Sequence, residues 1–152
     1  MVLPLHTITK SAEATQKLGE TLGHTLLADK RGEAPRVLCL WGELGSGKTT
    51  FTQGLARGLG ITSRLPSPTF IIVRRYSIPK TTRMLYHMDL YRVQGTSDIE
   101  ALGFDEMRTD PAAYVVIEWP ERLGMLLPDT RVDIRFAALP DGSHTIEMEL
   151  TK

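Results

Sequence analysis

The sequence predicts an α/β domain in three layers, with helices on both faces of a central sheet that is part parallel and part antiparallel. Three features carry this expectation. Residues 37–41 form an unbroken apolar run that ends at a glycine-rich turn, and a helical stretch follows. Residues 114–117 form a second unbroken apolar run, as a strand covered on both faces requires. Residues 130–137 and 144–150 instead alternate apolar and polar side chains around Pro140-Asp141-Gly142, the pattern of an antiparallel pair closing a sheet. With 152 residues, 41% of them apolar, the chain suits a single domain, 1–152, with a sizeable core.

The elements follow in order. Residues 2–8 read as a short first strand. Ser11 is placed to cap a helix in which Ala14, Leu18, Leu22 and Leu26 recur every four residues, through Ala28. Residues 30–35 are a polar loop before the strand 36–41. The next helix spans 49–58, with Gly58 and Gly60 as stop signals. Pro66 and Pro68 hold an extended loop. Residues 70–78 and 83–88 read as strands joined by a turn at Pro79-Lys80, and 97–102 and 105–109 as short helical pieces. The strand at 114–119 and the closing pair complete the order. No internal repeat or low-complexity stretch interrupts it.

Eighteen basic residues balance eighteen acidic ones, which weighs against a dedicated nucleic-acid binder and leaves a brief RNA contact open. The charges are unevenly spread. Residues 64–92 carry six arginines and lysines against Asp89, while 93–152 carry five basic and twelve acidic residues. Two solvated faces of opposite sign explain this as readily as a basic surface meeting an acidic partner. The lone Cys39, inside an apolar run, reads as a buried structural thiol. The chain shows neither a signal-peptide pattern nor an apolar run long enough for a membrane span, so no membrane partner is expected.

Gly42-Glu43-Leu44-Gly45-Ser46-Gly47-Lys48-Thr49 matches the phosphate-cradling pattern G-x-x-x-x-G-K-[ST] at every defined position, between a buried strand and a helix. The glycines let backbone N–H groups turn inward around an anion, and the helix N-terminus adds partial positive charge there. Glu43, Leu44, Gly45, Ser46, Gly47, Lys48, Thr49 and Thr50 are thus the candidate nucleotide-binding residues. Lys48 would reach the β- and γ-phosphates, and Thr49 would offer its hydroxyl to Mg²⁺. The fold expectation sharpens to a P-loop NTPase-like three-layer sandwich. The cytoplasm, where ATP and Mg²⁺ abound, is the expected compartment.

Such a site needs an acid at the end of a neighbouring strand to hold the metal's water shell. Glu118 follows the uniformly apolar strand and is assigned to magnesium. Trp119 stands where many ATPases carry a second acid, so the water-orienting role falls to Asp89, which could instead pair with Arg92 on the surface. His87 could touch phosphate or the metal's surroundings, or serve as a hydrogen-bonded structural histidine; His6, His24 and His144 have no constellation around them.

Ser67-Pro68-Thr69-Phe70 occupies the place of a switch segment, with Ser67 and Thr69 as candidate γ-phosphate sensors; a rigid turn fits the same residues. The chain contains no asparagine, which rules out a guanine-reading Asn-Lys-x-Asp element and favours adenine.

Taken together, the P-loop with Thr50-Phe51, the run Gly54-Leu55-Ala56-Arg57-Gly58-Leu59-Gly60, Ser67-Pro68-Thr69-Phe70, Tyr86-His87-Met88-Asp89-Leu90-Tyr91-Arg92 and Ile117-Glu118-Trp119-Pro120-Glu121 resemble the successive signatures of the TsaE family, also called YjeE. Met88 stands where phenylalanine is common, a conservative apolar change. The resemblance implies a bacterial ATPase that uses ATP and Mg²⁺ in threonylcarbamoyladenosine synthesis on tRNA. It implies partners, the TsaD- and TsaB-type subunits that carry out the transfer to adenosine 37 of tRNAs reading codons that begin with A. It also implies roles: Lys48 and Thr49 at phosphate and magnesium, Glu118 as the second metal-associated acid, Asp89 in hydrolysis, Trp119 as a functional residue beside the site, and Thr9 near the adenine.

Two other readings stay open on the residues alone. A small-molecule kinase would need an arginine-bearing lid, whereas residues 97–109 are mostly acidic. A docking module would bind nucleotide without hydrolysing it.

Overall fold

The computed structural model describes residues 2–65 and 72–152. Its elements are β1 (Leu5–Thr9), α1 (Ala12–Ala28), β2 (Val37–Trp41), α2 (Lys48–Gly58), β3 (Val73–Ser77), β4 (Met84–Asp89), α3 (Thr96–Ala101), α4 (Phe104–Thr109), β5 (Ala113–Glu118), a 3₁₀ segment (Pro120–Leu126), β6 (Arg131–Ala138) and β7 (His144–Thr151). The proline loop and the switch candidates Ser67 and Thr69 lie outside the described residues.

One seven-stranded sheet has the order β1-β7-β6-β2-β5-β4-β3. The central strands β6, β2, β5 and β4 are parallel. Antiparallel strands flank them: β3 beside β4, and β7 then β1 beyond β6. The sheet is therefore mixed, as the sequence pattern requires.

Each central strand feeds two cores through its alternating side chains. Leu38 and Leu40 of β2, with Tyr114 and Val116 of β5, meet Leu22 and Leu26 of α1 and Phe51 and Leu55 of α2. Val37, Cys39, Val115 and Ile117 point the other way, against Ile99 of α3, Phe104 and Met107 of α4, and Leu123. Residues buried this completely contribute about 1.5–3 kcal/mol each. Burial pushes the Cys39 thiol up to about 12, with Asp133 adding to the effect, so it is an inert core group.

The two helices on the first face touch through glycine. Gly19 and Gly23 of α1 lie on Gly54 and Gly58 of α2 so closely that a Cβ on Gly54 would meet the Gln16 carbonyl oxygen at 2.0 Å, and one on Gly58 the Glu20 carbonyl oxygen at 2.2 Å. The buried face of α1 is accordingly Thr15, Gly19, Leu22, Gly23 and Leu26, and Ala14 and Leu18 are only partly covered. Gly58, expected as a stop signal, is the last residue of α2 and also a packing residue, with Leu59 as the cap and Gly60 just beyond. Gly60 N–H donates to Arg57 O at 2.9 Å and Ile61 N–H to Ala56 O at 2.9 Å, the paired bonds of a Schellman end. At the other end of α1, the Ser11 hydroxyl caps the helix by accepting from Ala14 N–H at 3.1 Å.

Other differences are small. β1 begins at Leu5 rather than residue 2, and β3 spans Val73–Ser77, residues 70–71 of the expected strand lying outside the described residues. The 3₁₀ segment was not legible in the sequence, because it is two short turns joined at Gly124 rather than one periodic helix.

Candidate functional site

The glycine-rich turn leaves β2 at the carboxyl end of the parallel strands and enters α2. Gly42, Gly45 and Gly47 all have positive φ, 151°, 75° and 107°. At Gly42 a side chain would also collide with Ser46 Oγ at 2.6 Å and the Phe136 carbonyl oxygen at 2.7 Å. The loop can close only without side chains there. The N–H groups of Lys48, Thr49 and Thr50 open α2 and have no partner within the helix, which is the ordinary state of a first turn. The Ser46 hydroxyl is buried with no partner among the described residues.

Beside this turn is a cavity of about 290 Å³. Leu44, Gly45, Ser46, Gly47, Lys48, Thr49 and Thr50 line it from the loop and α2, and Asp89, Glu118 and Trp119 line it from the neighbouring strand ends. The register explains the convergence. β4 and β5 pair in parallel with Asp89 opposite Glu118, and β5 pairs with β2 so that Glu118 lies opposite Leu40. Both acids point to the α2 side, since each stands an even number of residues from a core residue on that side, Leu85 and Val116.

Lys48 is buried, and its Nζ donates to the Gly42 carbonyl oxygen. The same Nζ lies 4.1 Å from the centroid of the Trp119 ring. Burial lowers its affinity for the proton; Glu118, Glu121, Asp89 and Glu43 oppose that effect. Trp119 sits at φ 60°, ψ 51°, a left-handed conformation rare for a residue with a side chain. That turn brings the ring back over Lys48, and Tyr91 packs against it with centroids 5.0 Å apart.

Glu118 is 3% exposed, yet its carboxylate has a partner on each oxygen. Thr49 Oγ1 donates to Oε1 at 3.3 Å, and His87 Nε2 lies 2.6 Å from Oε2. Asp89 is buried too, rather than on the surface, and accepts from Tyr91 N–H at 3.0 Å. Burial pushes its carboxyl above the ordinary range; the Tyr91 N–H pulls it back and Glu118 adds to the rise. Hydroxyl and carboxylate oxygens are the hard donors that magnesium takes, alongside water and phosphate oxygens. Among the described residues no three His, Cys, Asp or Glu side chains form a metal cage; the hard oxygen donors that line the cavity include Thr49, Asp89 and Glu118.

Two candidates stand apart from the cavity wall. Glu43 does not line it. Thr9 is buried one layer behind, its Oγ1 2.7 Å from that of Thr15, which does line the wall. Ser67 and Thr69 lie outside the described residues.

Sequence reasoning missed the opposite wall. Ser11, Ala12 and Thr15 of the α1 start, with Gly142 and His144 of the β6–β7 hairpin, face the P-loop across the cavity. His144, which had no apparent constellation, has its Nδ1 2.7 Å from the Ser46 carbonyl oxygen. Only the helix cap at Ser11 was a local signal for any of these.

The model of the family described as "Threonylcarbamoyl adenosine biosynthesis protein TsaE" matches residues 9–146. The tRNA threonylcarbamoyladenosine biosynthesis protein TsaE of Treponema pallidum is 37% identical over 139 residues, covering 91% of this chain and 96% of that protein. Its counterpart in Bacillus subtilis is 46% identical over 110 residues, covering 72% of this chain and 66% of that protein. Among solved structures, Bacillus subtilis YdiB superposes with a TM-score of 0.75 at 31% identity, covering 100% of this chain and 88% of that one.

Proposed function

This chain belongs to the TsaE family, and from that membership we propose that it is an ATPase that binds ATP with magnesium and supports threonylcarbamoyl transfer to adenosine 37 of tRNA. The observation that supports the reading is the meeting of Lys48, Thr49, Asp89 and Glu118 around one cavity at the strand ends, beside a turn whose three glycines all have positive φ.

The roles follow from the geometry. The first-turn amides of α2 and the P-loop backbone would cradle the β-phosphate. Lys48 would exchange the Gly42 carbonyl for the β- and γ-phosphate oxygens. Thr49 and Glu118 would hold magnesium, whose charge offsets that of the phosphates. Asp89 would orient the attacking water, since its carboxyl lines the same cavity. Trp119 would shield the lysine side of the site from solvent. Turnover of the isolated chain should be slow, because the residue after Glu118 is a tryptophan rather than a second acid. The partners would be the TsaD- and TsaB-type transferase subunits, and the work would be done in the cytoplasm.

The test is phosphate release from ATP, with and without the transferase subunits, for the wild type and for Glu118→Ala. Partner-stimulated release that Glu118→Ala abolishes supports the proposal. Tight nucleotide binding with no release under either condition makes the chain a nucleotide-gated docking module instead. An unchanged rate in Glu118→Ala refutes the metal assignment.

A further inference from the structure

His87 lies in the Tyr86–Arg92 signature, but no role among the site residues has been given to it. It lies on β4 two residues before Asp89, on the face that carries Glu118. It is 0% exposed, and its Nε2 is 2.6 Å from Glu118 Oε2. Its other nitrogen, Nδ1, is buried and has no partner among the described residues. The neighbouring strand positions are apolar: Leu85, Met88, Val115, Val116 and Ile117 are all fully buried.

Packing alone does not account for an imidazole here. Burying it beside a buried carboxylate carries a desolvation cost, and an apolar residue of similar volume is often neutral or stabilising at such places. What the histidine supplies is direction. Glu118 has two oxygens and accepts from two donors, Thr49 on Oε1 and His87 on Oε2. With Oε2 tied to β4, the carboxylate plane is fixed and Oε1 is turned to the Thr49 hydroxyl.

We propose that His87 is a positioning residue, which locks the Glu118 carboxylate in the orientation that lets Thr49 and Oε1 share a magnesium ion. The assignment rests on reading the cavity as a magnesium–ATP site. Hydrogen-bond partners of metal-associated carboxylates typically govern affinity or activity by about 10–100-fold.

Three variants of the full chain test it. His87→Gln retains a donor near the place of Nε2. His87→Asn ends near the place of Nδ1 and does not reach Glu118. His87→Leu removes the donor altogether. Nucleotide affinity is measured by calorimetry with magnesium and with EDTA, alongside kcat and KM for ATP and the melting temperature. The expected result is that His87→Asn and His87→Leu need about 10-fold or more magnesium to reach half-saturation and lose about 10–100-fold in kcat, while affinity in EDTA stays within twofold of wild type. His87→Gln should recover most of both losses. If His87→Leu does not fold, His87→Asn against His87→Gln decides the matter. Equal loss of affinity with and without magnesium would make His87 merely structural and overturn the proposal. So would a folded His87→Gln no better than His87→Asn, or a His87→Asn indistinguishable from wild type. If the wild type itself binds nucleotide with no magnesium dependence, the site reading fails first, and the variants need not be consulted.

Discussion

His144 Nδ1 donates to the backbone carbonyl of Ser46 across 2.7 Å, tying the start of β7 to the crown of the P-loop from 98 residues away. The bond holds the loop's outer wall against the β6–β7 hairpin, and both groups border the cavity. His144→Ala removes a bond of about 1 kcal/mol that orders the loop before ligand arrives, so ATP should bind about fivefold more weakly. Calorimetric titration checks this; an unchanged Kd contradicts it.

The glycine seam makes a sharper prediction about stability. Gly54→Ala improves intrinsic helix propensity by about 1 kcal/mol. The same change drives a methyl group into the Gln16 backbone, where the carbonyl oxygen would be 2.0 Å away. Overpacking of a close helix contact costs about 1–3 kcal/mol, and here rigid backbone cannot yield as a side chain would. We expect a net loss of about 2 kcal/mol in urea denaturation. The P-loop should suffer too, because α1 carries Ser11, Ala12 and Thr15 to the cavity. A variant as stable as wild type would show that the helices slide apart freely.

Asp89 illustrates a group whose placement costs stability. Burial raises its folded-state carboxyl above the ordinary 3.8. The folded protein therefore holds that proton more tightly than the unfolded chain does. The group favours folding at low pH, and that contribution is lost as pH rises through the folded value. At neutral pH Asp89→Asn removes the penalty and keeps an oxygen for the Tyr91 N–H. The melting temperature of the nucleotide-free protein at pH 7 should rise, while phosphate release falls. A lower melting temperature at pH 7 would run against the argument.

Asp133 behaves in the opposite sense. It is 1% exposed and accepts from Trp41 Nε1 at 2.7 Å, Arg131 Nε at 2.9 Å and Thr151 Oγ1 at 2.9 Å. Burial alone would push its carboxyl up, but the bonds from Arg131, Trp41 and Thr151 outweigh it and hold the group below the ordinary 3.8. Its stabilisation is complete above that value and fades as pH falls through the lower, folded one. Asp133→Ala leaves the Trp41 indole N–H without its acceptor and the half-buried Arg131 guanidinium with the Pro128 carbonyl alone, and should cost about 2–3 kcal/mol at pH 7. Below about pH 4 the gap between variant and wild type should narrow, as equilibrium denaturation at the two pH values would show. A gap independent of pH would mean that the charge on Asp133 plays no part.

Much of the molecule is written in local pattern. The apolar runs of β2 and β5 mark strands covered on both faces, and alternation marks β6 and β7 as an antiparallel pair; one registers every residue as core, the other every second residue. The P-loop is legible because its glycines, lysine and threonine sit within eight positions, where backbone geometry alone decides what they can do. Lys48, Thr49 and the acid ending β5 follow from the same short-range logic.

What the chain conceals is contact between distant segments. Nothing near His144 marks it as a neighbour of Ser46, and the sequence leaves His87 open between a contact at the site and a structural histidine without pairing it with Glu118; β-strand pairing and hairpin closure bring these groups together. Gly19 and Gly23 look like weak spots in a helix until Gly54 and Gly58 are laid against them, when the missing side chains become the reason the helices meet. Sequence by itself determined most strands and helices and the glycine-rich turn, because each depends on residues a few positions apart. Tertiary structure alone decided which acid meets which donor and which wall faces the cavity, because those depend on register across the sheet, which no single segment encodes.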